Sequence, residues 1–218
     1  MSETKTRSVK SAVPRPLLGA IRKGLMRYTW RGVLCNKSPF DLALYSLLLW
    51  REKPRAIIEI GTKEGGSALW LWDTCHQFGL DTEIISIDIQ QRAKGNQTGI
   101  TFLQGNALNL ATALPPERTR TLKRPLMVIE DSAHRPDTTL AVLQFMDAHL
   151  RSGEYIIIED GIVDSRGVAA QFGGGPNPAV EEFLAANVGR YEIDTDLCDY
   201  YGYNVTWNTN GWLRKIAD

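Results

Sequence analysis

The sequence has few cysteines and histidines, no net charge and no long apolar run. Its 218 residues include 3 Cys and 3 His, and 25 Lys and Arg balance 25 Asp and Glu. Widely spaced cysteines without a CxxC pair exclude a disulfide framework and a thiolate metal site. Balanced charge provides no global field that would attract nucleic acid. We therefore expect the partner to be a small molecule.

Membrane and export signals are also missing from the sequence. No apolar run approaches the roughly 18 residues that a membrane-spanning helix requires. The N-terminal region lacks the apolar core of a signal peptide. These absences lead us to expect a cytoplasmic protein without a membrane span.

The basic charge is concentrated near the N terminus. Residues 1–33 carry eight Lys or Arg, with Glu3 as the only acid. Apolar positions 17, 18, 21, 25 and 26 alternate with Arg22, Lys23 and Arg27, which predicts a basic amphipathic helix. We interpret residues 1–36 as an arm or helical cap that covers the active site, packs in an oligomer or associates weakly with a membrane surface. Residues 37–218 are then one domain.

Beyond the arm, apolar runs alternate with helical stretches. Helices are predicted at 41–50, 66–76 and 138–150 and after a cap at Asn177, and strands at 56–60, 83–89, 100–103, 126–129, 155–158, 191–193, 203–207 and 212–216. The alternation predicts an α/β fold with a mostly parallel, Rossmann-like sheet and helices on both faces. The last runs predict an antiparallel edge that closes the sheet.

Glycines follow the first buried strand, where an α/β sheet binds its cofactor. Gly61 and Gly65, with Thr62 and Ser67 between and after them, occupy the turn into the next helix. Glycine at such a turn allows the backbone to approach a ligand closely. Asp88 ends the second strand, where a carboxylate can accept both ribose hydroxyls. Asn106 follows the third strand and offers an amide to an adenine ring.

Two cofactors compete for this turn. Dinucleotide enzymes carry GxGxxG there, whereas this sequence has GxxxGG. Glu59 in the same strand would repel a pyrophosphate but attract the amino group of S-adenosylmethionine. The charge pattern favours S-adenosylmethionine, and a nicotinamide-dependent oxidoreductase or nucleotide-binding protein remains the alternative.

Acidic side chains end the fourth and fifth strands. Asp131 follows one strand, and Glu159 and Asp160 follow the other. Adjacent strand ends bring such carboxylates together, and hard oxygen ligands suit Mg²⁺. Strand alternation does not decide whether Glu130 or Asp131 faces the site. We predict a magnesium site formed by Asp131, Glu159 and Asp160, with Asp131 also close to the bound donor.

These segments together resemble the cephalosporin hydroxylase and rhamnosyl O-methyltransferase family. The resemblance spans about residues 37–216 and is carried by the segments at 38–42, 58–67, 131–134, 158–161, 180–184 and 210–213. It implies a seven-stranded methyltransferase sheet whose last strand is antiparallel. It also implies transfer from S-adenosylmethionine to a hydroxyl of a sugar or natural product, and a homo-oligomer.

The resemblance assigns one further role. The family places a Lys or His three residues after the first metal acid as general base, and that position is His134. An imidazole that titrates near neutral pH can accept the proton of a hydroxyl. A non-catalytic partner subunit that has kept the methyltransferase fold is the remaining alternative.

Overall fold

The computed structural model describes residues 7–93 and 99–218. Lys5 and Glu3 of the predicted arm lie outside the described residues. The helices are α1 (Arg15–Leu25), α2 (Pro39–Glu52), α3 (Gly66–Gln77), α4 (Pro116–Thr119), α5 (Pro136–Asp147), α6 (Val163–Arg166), α7 (Asn177–Ala186) and α8 (Thr195–Cys198), with 3-10 turns at Leu110–Thr112 and Ala169–Phe172. The strands are β1 (Thr29–Trp30), β2 (Val33–Leu34), β3 (Ala56–Ile60), β4 (Glu83–Asp88), β5 (Ile100–Gln104), β6 (Leu126–Glu130), β7 (Tyr155–Ile158), β8 (Tyr191–Ile193) and β9 (Trp212–Lys215).

The main sheet has seven strands in the order β5-β4-β3-β6-β7-β9-β8. Strands β3 to β7 pair in parallel, and β9 runs antiparallel to both of its neighbours. The predicted sheet, mostly parallel with its last strand antiparallel, is confirmed. The predicted antiparallel edge is also confirmed, because β9 and β8 lie at the end of the sheet beyond β7, with β9 inserted between β7 and the edge strand β8.

The central strands are buried on both faces, as their continuous apolar runs predicted. Ile58, Val128 and Ile156 face a cluster that includes side chains of α5 and α7. The alternate residues Ile57 and Ile129 face the opposite cluster, which includes side chains of α2 and α3. Two packed layers therefore hold β3, β6 and β7 in register and fix where their carboxyl ends lie.

Helix α2 confirms the helix predicted at 41–50 and extends it to Pro39–Glu52. Ser38 is the N-cap, and its hydroxyl accepts a hydrogen bond of 3.1 Å from the Asp41 amide. The helix ends at Lys53, which adopts a left-handed conformation with φ of 47° before Pro54. The cap and the break frame a helix that packs one face into the core.

The predicted strand at 203–207 was wrong, because this segment is a loop. The backbone amide of Trp207 donates to the Asp41 carboxylate at 3.0 Å, and Asn204 has a left-handed φ of 49°. The Thr206 hydroxyl also donates to Asp41. Side-chain acceptors thus satisfy this backbone in place of a strand ladder.

The predicted cap of α7 was also wrong in its detail. Asn177 lies inside the helix, and Pro176 occupies the preceding cap position. The Asn177 side-chain amide donates to the Gly161 carbonyl at 2.8 Å and to the Asp164 carboxylate at 2.7 Å. Asn177 therefore ties α7 to the loop after β7 and does not cap its own helix.

Helix α1 packs on the loops at the carboxyl end of the sheet. Leu18 and Leu25 are buried against Ile162 and Trp207. In the part of the chain that the structure describes, no helix is both long and apolar enough to cross a bilayer. The three cysteines are buried and unpaired, as the absence of paired spacing indicated.

Candidate active site

A cavity of about 730 Å³ opens at the carboxyl ends of β3 to β7, and we call it the strand-end cavity. Parallel strands place their following loops along one edge, which is where α/β sheets bind ligands. Helix α1 covers part of the opening with side chains from its last turn. The predicted site residues that line the cavity are Gly61, Asp88, Asn106, Asp131, His134 and Asp160.

Gly61 permits the close approach of two strand ends. Its φ is +110°, and a Cβ at this position would lie 1.9 Å from the carbonyl oxygen of Asp131. The Gly61 amide donates to the Ile87 carbonyl, and the Asp131 amide donates to the Ile60 carbonyl, both at 2.7 Å. Only glycine fits this contact, so the cavity floor is built from backbone.

Asp88 and Asn106 line the cavity on the side of β4 and β5. The Asp88 carboxylate accepts the Lys63 amide at 2.8 Å and the Gln90 amide at 2.9 Å. The Asn106 side-chain oxygen accepts the Leu108 amide at 3.0 Å. These bonds fix both side chains, and a carboxylate with several lone pairs still has capacity for a ligand.

The other predicted donor-binding residues lie behind the cavity wall. Glu59 is fully buried and accepts hydrogen bonds from the hydroxyls of Ser67 and Ser86. Burial raises the pKa of the Glu59 carboxyl. The Thr62 hydroxyl pairs with Ser86 at 2.6 Å, and Gly65 precedes α3 with φ of 90°. Contact of these four residues with the donor stays a prediction.

Two acids and an imidazole meet on the cavity wall. The Nε2 atom of His134 lies 3.4 Å from an Asp160 oxygen, and its Nδ1 atom lies 3.8 Å from an Asp131 oxygen. One possible ligand atom from each residue lies within 4.8 Å of the others. Burial lowers the pKa of His134, but the carboxylates of Asp160 and Asp131 outweigh it and the net shift is upward. Asp131, and not Glu130, is the acid of its strand end that faces the cavity.

Glu159 occupies a different environment from its neighbour Asp160. Its carboxylate is buried, lies 2.7 Å from the Lys37 ammonium and accepts the Tyr45 hydroxyl at 2.6 Å. Among the described residues, it is not part of the group that could hold a metal. Its assignment as a third metal ligand stays a prediction, and the structure places His134 beside the two aspartates.

Lys37 is a site residue that sequence reasoning missed. Its ammonium lies 2.6 Å from Asp131 and 2.7 Å from Glu159, with only 4% of the side chain exposed. Burial lowers the pKa of Lys37, but the two carboxylates outweigh it and the net shift is strongly upward. The only local signal was its position directly before the Ser38 cap, which says nothing of contacts across 94 residues.

The strand order, the glycine turn and the acidic strand ends together define a seven-stranded α/β methyltransferase. A sequence model of the rhamnosyl O-methyltransferase/CmcI family matches residues 22–216. The chain belongs to this family. This result confirms the predicted class of enzyme, an S-adenosylmethionine-dependent O-methyltransferase.

Individual relatives agree with the family match. The chain is 31% identical to a rhamnosyl O-methyltransferase of Mycobacterium leprae over 194 residues, covering 86% of this chain and 82% of the relative. A structure of CmcI with Mg and SAM has a TM-score of 0.69 at 30% identity, covering 88% of this chain and 78% of CmcI. A structure of CmcI without ligand has the same TM-score at 28% identity and covers 98% of this chain and 91% of CmcI.

Proposed function

We propose that this protein transfers the methyl group of S-adenosylmethionine to a hydroxyl of a sugar or natural product, with Mg²⁺ as metal cofactor. The observation that carries the proposal is the group of Asp131, His134 and Asp160 on the wall of the strand-end cavity, next to Gly61. The CmcI complex with Mg and SAM supports both cofactors. The rhamnosyl O-methyltransferase relatives support a sugar-like acceptor.

The residues present fit a divalent cation. Two carboxylates supply hard oxygen ligands, and all three side chains lie within reach of one ion. His134 and Asp160 have left-handed φ angles of 54° and 60°, a conformation that costs energy outside glycine and is concentrated at functional sites. A bound Mg²⁺ would supply positive charge that makes an acceptor hydroxyl easier to deprotonate.

The cavity also fits the donor. Its volume of about 730 Å³ is within the range of small-molecule sites. Asp88 presents carboxylate oxygens to the ribose, Asn106 an amide to the adenine, and Gly61 a backbone surface that a side chain would obstruct. Donor and acceptor then share one cavity, which fixes their relative orientation.

His134 has two candidate roles, general base and metal ligand. As general base, a ring nitrogen of His134 accepts the proton of the acceptor hydroxyl, while Asp160 and Asp131 stabilise the resulting imidazolium. As ligand, the same ring would hold the ion with the two aspartates. We propose that His134 is the general base and that Asp131 and Asp160 are metal ligands. Glu159 is the third acid of the site and lies behind these two aspartates.

Binding and turnover measured on the same variant test the function. S-adenosylmethionine should raise the Tm of the wild type, and Asp160→Asn should abolish methyl transfer while retaining donor binding measured by calorimetry. Asp196→Asn changes an exposed acid far from the cavity and serves as the matched control. No stabilisation by the donor would refute the proposal. Full turnover by Asp160→Asn would refute the proposed role of Asp160 in a metal site.

A measurement of metal affinity distinguishes the two roles of His134. His134→Gln should lose turnover but keep the affinity for Mn²⁺, measured by electron paramagnetic resonance, if the ring is the base. A large fall in Mn²⁺ affinity would instead assign His134 as a ligand.

We propose that the enzyme acts in the cytoplasm as a homo-oligomer on a small-molecule acceptor. Exposed aromatic side chains of Trp50, Tyr200 and Tyr201 supply apolar surface for assembly. Sedimentation velocity of the purified chain tests the oligomer. A monomer at all concentrations would contradict it.

A further inference from the structure

The strand-end cavity has two chemically different ends. The donor end is formed by Gly61, Asp88 and Asn106, which follow β3, β4 and β5. The opposite end, which we call the acceptor end, lies between α1 and the segments after β7. Its lining residues include Arg22, Leu25, Met26, Arg166, Phe172 and Trp207.

The acceptor end carries two arginines that form no ion pair with an acidic side chain among the described residues. Arg22 comes from α1 and Arg166 from the last position of α6. Over residues 7–93 and 99–218, no carboxylate oxygen lies within 4.0 Å of either guanidinium. By contrast, Arg135 on the same cavity pairs with Asp137 at 3.3 Å. The two guanidinium groups therefore leave positive charge at this end that no ion pair within 4.0 Å compensates.

The two charges are close enough to oppose each other. Burial and the positive charge of Arg22 both lower the pKa of Arg166, and Asp160 only partly offsets them. Asp160 is already engaged, because it lies 3.4 Å from His134 and belongs to the candidate metal group. An anion between the two arginines would replace their mutual repulsion by two attractive contacts.

Arg22 is held in place by the packing of its helix. Leu18 and Leu25 of the same helix are buried against Ile162 and Trp207. The Arg15 guanidinium lies over Gly167, where an added Cβ would approach its Nη2 atom to 2.9 Å. Packing of α1 therefore fixes the backbone from which the Arg22 side chain reaches the cavity, which reduces the ordering cost of binding.

We propose that the acceptor carries a carboxylate or phosphate group in addition to its reacting hydroxyl, and that Arg22 and Arg166 bind this anion. The inference rests on the proposed methyl transfer and deepens it by naming the charge of the acceptor. In this proposal, the apolar side chains of Leu25, Met26 and Phe172 contact the uncharged part of the acceptor. The anion sets which hydroxyl reaches His134, so Arg22 and Arg166 determine specificity.

The test uses the protein loaded with S-adenosylhomocysteine and Mg²⁺. The Tm is measured with inorganic phosphate, with glucuronic acid and with neutral methyl glucoside, for the wild type, Arg22→Gln and Arg166→Gln. Arg27→Gln is the matched control, because Arg27 lies just beyond α1 and its guanidinium bonds, among the described residues, only to the Lys23 carbonyl. Methyl transfer is then compared within two pairs, glucuronic acid with its methyl ester and rhamnose 1-phosphate with methyl rhamnoside.

We expect the anions, and not methyl glucoside, to stabilise the wild type and Arg27→Gln. Each of Arg22→Gln and Arg166→Gln should weaken anion binding about tenfold. The acceptor pair in which methyl transfer to the charged member exceeds that to the neutral member by the larger factor shows whether the bound anion is a carboxylate or a phosphate. The inference is overturned if the anions do not raise the Tm of the wild type, or if they raise the Tm of both Arg22→Gln and Arg166→Gln as much as that of the wild type. Failure of S-adenosylhomocysteine itself to raise the Tm would instead refute the proposed function.

Discussion

Replacement of Lys37 by methionine tests the electrostatic framework of the site most directly. The Lys37 ammonium lies between Asp131 and Glu159, at 2.6 and 2.7 Å, and all three side chains are largely buried. Methionine retains most of the side-chain volume but removes the charge. The two carboxylates then lose their common counter-charge in a region with little access to water.

The expected cost follows from removing one partner of a buried ion pair. Such changes destabilise proteins by about 3–5 kcal/mol, because a charge remains buried without compensation. For a chain of this size, that corresponds to a fall in Tm of roughly 6–20 °C. The Tyr45 hydroxyl continues to bond Glu159, so the loss is expected towards the lower end.

Urea unfolding and a double-variant cycle provide the assay. Adding Glu159→Gln to Lys37→Met should restore about half of the lost stability, since one uncompensated charge is then removed. Lys123→Met is the control, because Lys123 forms a surface pair with Asp81 at 3.4 Å and should cost under about 1 kcal/mol. A loss from Lys37→Met no larger than that of the control would refute the reasoning, as would a double variant less stable than Lys37→Met.

Three further predictions concern the cavity floor, the covering helix and a distant ion pair. Gly61→Ala should abolish donor binding in calorimetry, because its Cβ would lie 1.9 Å from the Asp131 carbonyl oxygen. Retained affinity would contradict this. Leu18→Ala should cost about 2–5 kcal/mol in urea unfolding, since Leu18 is 1% exposed. A smaller loss would mean that α1 packs loosely. Burial raises the pKa of Asp147, but bonds from Arg190, Tyr191 and Lys215 outweigh it and lower the pKa overall. The ionised form therefore stabilises the fold above the unfolded pKa of about 3.9, and this contribution is lost as pH falls through the lower folded value. Asp147→Asn should destabilise at pH 5 and differ less from wild type at pH 2, and an equal difference at both would exclude the effect.

The sequence was informative where a residue pattern is compatible with only one local structure. Continuous apolar runs in β3 and β7 predicted central strands. Glycine at position 61 predicted close approach of a ligand, and the structure shows close approach of the Asp131 carbonyl at this position. Asp131 and Asp160 were predicted together because parallel strands end at the same edge.

Contacts between distant segments were not predictable in the same way. Lys37 meets Asp131 only through the tertiary fold, and no local pattern marks it. The run at 203–207 has the composition of a strand, but its backbone amide at Trp207 bonds the Asp41 carboxylate instead. Tertiary hydrogen bonding overrode local propensity there, as it often does for β-type sequences.

Because helix α1 covers the cavity but does not form its floor, residues that select the acceptor can change independently of those that carry out methyl transfer. The floor of the cavity is backbone held by Gly61 and Asp131, where almost any substitution disturbs the donor and the metal group together. The cover is one helix whose buried residues Leu18 and Leu25 pack against Ile162 and Trp207. Residues on its cavity side can change while those two anchors stay. A library confined to the cavity-facing positions of α1, such as Arg22, should therefore redirect the enzyme to new acceptors while leaving the methyl-transfer machinery intact.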